Sequence, residues 1–179
     1  MQSTKAPSSW SLRKQTTLQT LSPEQRREMT EEALDFLEYT EEKLLQLESS
    51  PQNQELVLRI LRSFERVFTL ARTLNLRPTL ELLQKLQNFL YHVHQGDRQL
   101  NREDVSWLYE SVELLGELIA RSATQPANPS GNQVPGTLQH WYERILGWTK
   151  EQMNDMERYN PFRSRNFAPR LGSCCQQKA

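Results

Sequence analysis

The amino-acid sequence predicts an all-α protein: an antiparallel up-down four-helix bundle with an additional C-terminal helix, set between disordered tails. Three observations carry that expectation. Apolar residues recur at spacings of three and four in five separate stretches, the period of one buried helix face. The joints between the first four stretches are short, which makes consecutive helices antiparallel neighbours. Six glycines in 179 residues are too few for a many-turned β fold or a glycine-rich phosphate loop. The organisation that follows is a disordered arm over 1–21, a bundle over 22–121, a linker over 122–136, an amphipathic helix over 137–160 and a disordered tail over 161–179.

The first helix has a clear start. Ser22 suits the N-cap, Pro23 the first helical position, and Gln25 closes a capping box. Met29, Ala33, Phe36, Leu37, Leu44 and Leu47 form its apolar stripe, and Glu31, Glu32, Glu38, Glu41 and Glu42 its wet side. It is expected to run to about Glu48, where Ser49-Ser50-Pro51 stops it. The second helix, Glu55 to Leu76, is the most apolar, with Leu56, Ile60, Phe64, Val67, Ala71 and Leu74 on one seam. Pro78 disfavours helical geometry at Arg77 and so sets its end. Leu61 and Phe68 flank Glu65 at i−4 and i+3, which places the three in a patch turned away from that seam.

The third helix starts around Pro78–Thr79 and runs to Gln95. Its inner face is Leu80, Leu83, Leu86, Phe89, Leu90 and Val93, and Gly96 is its left-handed stop. Asn101 is the N-cap candidate for the fourth helix, with Asp104 three residues on. That helix spans about Arg102 to Arg121, with Val105, Leu108, Val112, Leu115, Leu118 and Ile119 as its core set. Residues 122–136 hold three prolines and two glycines and read as a linker. The fifth helix, about Thr137 to Tyr159, carries Leu138, Trp141, Ile145, Trp148 and Met156 on one side. Two fates stay open for it: docking on the bundle, or standing free as a partner-binding helix.

Net charge is zero but unevenly spread. No acidic residue precedes Glu24 or follows Glu157, while Lys5, Arg13, Lys14, Arg163, Arg165, Arg170 and Lys178 lie in the ends. The body over 24–159 keeps all 22 acidic residues and 15 of the 22 basic ones, a net of −7. An acidic body disfavours a nucleic-acid groove, which needs clustered Lys and Arg. The two cysteines, Cys174 and Cys175, are adjacent and outside the body, so no disulfide framework is expected, in keeping with a cytoplasmic setting. No apolar run reaches the length of a membrane span, so no integral membrane segment is expected.

Little in the chain points to catalysis. His92 and His94 stand two apart on a helix, face different sides and do not chelate one metal together; His140 is isolated. No cysteine–histidine cluster, serine nucleophile motif or phosphate loop occurs, so no catalytic residue, metal or cofactor is expected. Acid–amide pairs on one helix face, Glu81 with Gln84 and Glu42 with Gln46, are frequent by chance in a Glu- and Gln-rich helical chain.

From about Leu34 to Ile119 the sequence resembles the histidine phosphotransfer (HPt) domain, particularly the one that opens CheA-type chemotaxis kinases. The segments that carry the resemblance are ALDFLEYTEEKLLQLE, ILRSFERVFTLARTLNL and LQKLQNFLYHVHQGDRQLNREDVSWLYESVELL. The family's second-helix pattern, roughly I-F-R-x-x-H-S-I-K-G-x-A, is similar to Ile60 through Ala71, and the turn from Gly96 to Asn101 matches the family's glycine-to-asparagine turn. The departures fall on the chemistry. The phosphorylated histidine aligns with Glu65, the charge-neutralising lysine with Phe68, the following glycine with Thr69, and the third-helix histidine and glutamate with Gln84 and Gln87. Phosphoryl relay in that family needs a nucleophilic imidazole.

The resemblance therefore implies a non-catalytic, pseudo-HPt interaction module, not an enzyme, that binds a receiver domain or a histidine kinase. The partner-binding candidates are Leu61, Glu65, Phe68, Arg72, Gln84 and Gln87. Two other readings stand beside it. One is a helical phosphatase acting on a phosphorylated receiver, with Gln84 or Gln87 orienting water beside Glu81. The other is a structural bundle that self-associates as a homodimer through Trp141, Trp148 and the fifth helix.

Overall fold

Five helices account for the regular structure of the computed structural model, which describes residues 21–124 and 133–159. They are α1 (Pro23–Ser49), α2 (Gln54–Thr73), α3 (Arg77–His94), α4 (Arg102–Thr124) and α5 (Gly136–Tyr159). No strand occurs among the described residues, and no helix among them is long and apolar enough to cross a membrane. The expected arm and tail, with Cys174 and Cys175, and most of the expected linker lie outside the described residues.

Local sequence sets the helix ends. At α1 the Ser22 hydroxyl accepts from the Gln25 N–H at 3.1 Å, and the Gln25 side chain accepts from the Ser22 N–H at 3.0 Å, the reciprocal capping box. Asn101 and Asp104 make the same exchange before α4, at 2.8 and 3.0 Å. Asn53 caps α2 by accepting from the N–H groups of Glu55 and Leu56. Gly96 closes α3 with φ of 81°. There the Asp97 N–H bonds to His92 O and the Gly96 N–H to Val93 O, a Schellman stop.

The end of α2 corrects the expectation of a helix to Leu76. The helix stops at Thr73 because Asn75 adopts φ of 59°, the left-handed conformation that asparagine tolerates better than most residues. Leu76 N–H bonds to Ala71 O and Asn75 N–H to Arg72 O, so a second Schellman motif ends the helix before Pro78 acts. Leu74 and Leu76 stay buried at the turn. Helix α4 runs three residues past Arg121, into the stretch expected to be linker.

In the bundle, α2 packs between α1 and α3, and α4 closes the ring against α1. Phe64, Phe89, Leu44, Leu47, Ile60, Leu86, Leu90, Leu108 and Leu115 are fully buried at its centre. One polar link crosses the core: Ser63 donates to Phe36 O at 2.7 Å and accepts from Thr40 at 2.7 Å. These hydroxyls tie α2 to α1 and leave no buried proton unpaired there.

Helix α5 docks on the bundle, over the seam between α3 and α4. Leu138, Tyr142, Ile145 and Trp148 are its buried face. Tyr142, absent from the expected set, takes a place that the 3.6-residue period gives equally to Trp141, which is only partly buried. The Trp148 ring stacks on Trp107 with centroids 5.7 Å apart and meets Phe89 edge-on at 5.0 Å. The Tyr142 hydroxyl donates to Glu81 Oε2 at 3.1 Å. Arg98, in the α3–α4 turn, bonds Asp104 at 2.6 Å, lies over the Phe89 ring at 5.4 Å and donates to Gln152 of α5.

Candidate functional site

An open groove of about 720 Å³ runs between α2 and α3. On the α2 side, Leu58, Leu61, Glu65 and Phe68 recur at spacings of three and four, so they share one stripe. On the α3 side, Gln87, Tyr91 and His94 do the same. Helix α5 covers α3 from its α4 side, so the groove faces solvent.

Four of the six residues expected to bind a partner meet here: Leu61, Glu65, Phe68 and Gln87. Leu61 requires a correction. It is 8% exposed and belongs to the core, not to a patch turned away from it. Helix α2 is flanked by both α1 and α3, so its apolar arc is wider than a single seam and takes Leu61 inside. Leu61 thus floors the groove. Phe68 is half-buried and packs on the core with one edge in the groove. Arg72 and Gln84 are exposed and do not line it. Arg72 lies one helical turn beyond Phe68, and Gln84 one turn before Gln87.

Glu65 is exposed. Its carboxylate has no hydrogen-bond or ion-pair partner among the described residues, although Arg62, Arg66 and Thr69 lie within one turn on its own helix. The charge at the centre of the groove is therefore available to an incoming donor. On the α3 side of the groove Tyr91 is 56% exposed. His94 turns its Nδ1 inward, buried and without a partner among the described residues. Tyr91, His94, Leu58 and Arg62 were not among the expected site residues. The signal that finds them is register, once α2 and α3 are known to be adjacent: Arg62 and Tyr91 lie one helical turn from Glu65 and Gln87, and Leu58 and His94 two turns.

The HPt-like likeness extends to three dimensions. Among solved structures the chain is similar to the CheA phosphotransferase domain from Thermotoga maritima, with a TM-score of 0.54 and 18% identity over 56% of this chain and 96% of that one. That share is about 100 residues, the length of the span from α1 through α4. The chain has an HPt-like helical fold. No protein-family model and no curated protein matches the sequence.

The remaining candidates for chemistry are placed elsewhere. Glu81 accepts the Tyr142 hydroxyl and faces α5, so the carboxylate of the Glu81–Gln84 pair is outside the groove that holds Gln87. Burial first, then the Glu81 charge, pushes the Tyr142 phenol well above the usual tyrosine range, which keeps it a donor. His92 pairs with Asp97 at 2.8 Å at the end of α3. No group of three or more His, Cys, Asp or Glu suited to a metal occurs among the described residues.

Proposed function

We propose that the chain is a non-catalytic pseudo-HPt interaction module of two-component or chemosensory type, which binds a receiver domain or a histidine kinase through the α2–α3 groove. The observation that carries this reading is Glu65: an exposed carboxylate without a partner among the described residues, at the position that the sequence resemblance aligns with the phosphorylated histidine. A fixed negative charge there stands in for part of the phosphohistidine charge and carries out no imidazole-borne transfer. Phe68, where the family has a lysine, adds apolar contact area beside it. Leu61 supports the groove from below, Gln87 supplies an amide to its far wall, and Arg72 and Gln84 extend the surface at one end. A cytoplasmic location accompanies this reading.

Self-association through α5 has less support, since Trp148 is only 6% exposed and spends its surface on Phe89 and Trp107 of its own chain. The test uses a panel of receiver domains and a histidine kinase charged with labelled phosphate. Binding of a receiver or the kinase with no label on this protein is the expected result. Glu65→Lys should weaken that binding on the order of tenfold, equivalent to about 1.4 kcal/mol. Label transferred to this chain, or equal binding by Glu65→Lys, overturns the proposal. Leu61 is no surface probe, because a charge there enters the core.

A further inference from the structure

A second groove, of about 540 Å³, lies on the other flank of α2, against α1. Its floor is apolar: Phe36 and Leu58 are half-buried and Tyr39 is 38% exposed. Its rim is basic. Arg59, Arg62 and Arg66 occupy positions i, i+3 and i+7 of α2, one exposed stripe along the groove. Arg59 is held by Glu55 at 2.6 Å, but Arg62 and Arg66 have no carboxylate partner among the described residues. Elsewhere among the described residues, Arg27, Arg121 and Arg144 are paired with glutamates, and the exposed, unpaired Arg72 and Arg77 stand apart from this groove. The opposing carboxylates here are Asp35 and the already committed Glu55. A locally positive rim is a departure in a body of net charge −7.

We propose that this α1–α2 groove is a docking site for an acidic peptide segment of a partner protein, carrying one aromatic or large aliphatic anchor side chain. Unpaired guanidiniums above an apolar floor suit carboxylates flanking an apolar side chain: the guanidinium fork takes a carboxylate with two parallel hydrogen bonds. Arginine and aromatic side chains are also the residue types enriched where proteins bind one another. Residues 1–23 and 158–179 contain no acidic residue and so do not supply the segment. The groove lies on the opposite flank of α2 from the α2–α3 groove, and Leu58 and Arg62 line both.

The test measures binding of a fluorescein-labelled twelve-residue peptide, glutamates around a central phenylalanine, by anisotropy to the full chain. A lysine-for-glutamate peptide and a phenylalanine-to-alanine peptide serve for comparison. The glutamate peptide should bind at least tenfold more tightly than either, and its affinity should fall as salt rises. The double variant Arg59→Glu/Arg66→Glu should lose tenfold or more, with its helical circular dichroism retained because both side chains are exposed. It spares Arg62 and so leaves the α2–α3 groove intact. Arg77→Glu, at an exposed arginine outside the groove, should bind like the unaltered chain. Equal binding of acidic and basic peptides, or full binding by the double variant, overturns the proposal. So does sedimentation showing a dimer that the double variant dissolves, since the occupant would then be a second copy of this chain.

Discussion

Trp148→Ala tests how much the docking of α5 contributes to the stability of the folded chain. The Trp148 ring is 6% exposed and lies between Phe89 and Trp107. A buried tryptophan removes roughly 200 Å² from water, worth about 5 kcal/mol at ~25 cal/mol per Å². Compactness of the unfolded chain lowers that by roughly a quarter. The methyl group left behind recovers about 1 kcal/mol, which the lost stack and edge contact roughly offset. The expected loss is therefore about 4 kcal/mol, within the ~3–5 kcal/mol range of aromatic-to-alanine changes in cores. With a urea slope of about 2 kcal/mol per M, the unfolding midpoint should fall by roughly 2 M. The assay is urea unfolding followed by circular dichroism, with Leu45→Ala, at a leucine 62% exposed, as the surface reference. A loss below about 1 kcal/mol would refute the reasoning, because it would mean that Trp148 gives up little on entering water.

Arg98→Met keeps an aliphatic stem over Phe89 but removes the ion pair of Asp104, whose side chain is 3% exposed. The Asn101 N–H still reaches that carboxylate, so thermal unfolding should report a loss of about 2–4 kcal/mol, toward the low end for a broken buried pair. Asn75→Val places a β-branched residue at φ of 59° and should cost about 1–2 kcal/mol in chemical denaturation, whereas Asn75→Gly should stay within about 0.5 kcal/mol of the unaltered chain. The raised phenol of Tyr142 implies a defined pH dependence. The unfolded chain releases this proton first, near the ordinary tyrosine value of about 10. Stability is thus full below that pH and is lost as pH rises toward the folded-state value. In Tyr142→Phe the slope of stability against pH above about 10 should be shallower, measured by urea titrations at a series of alkaline pH values; an unchanged slope would remove Tyr142 as its source.

What was legible in the sequence was what depends on neighbours a few residues away. The Ser22–Gln25 and Asn101–Asp104 boxes and the Gly96 stop are short-range geometry, and each occurs as the spacing implies. Asn75 was equally local, but the proline three residues on offered a competing reason for the end of α2. Leu61 was not legible, since periodicity says that a helix has an apolar arc and not how many helices press on it. Register singles out Glu65 and Phe68, and the HPt resemblance singles out Gln87, but the groove they share depends on which helices lie side by side. Tyr91 and His94 emerge only when α3 is laid against α2. The docking of α5 beside helices that precede it by many residues, and Arg98 as the residue reaching from a turn to both Asp104 and Gln152, are tertiary facts with no short-range signature.

The placement of α5 also has a kinetic meaning. Contacts of α1 with α2 and of α2 with α3 join neighbours in the chain, and local contacts of that kind form early and fast. The α5 seam needs α3 and α4 already side by side, because Trp148 touches Phe89 of one and Trp107 of the other. The last helix therefore seals a surface that the first four must present to it. In native-state hydrogen exchange its amides should open at lower free energy than those around Phe64 and Leu86, as a separate unit that leaves first and returns last.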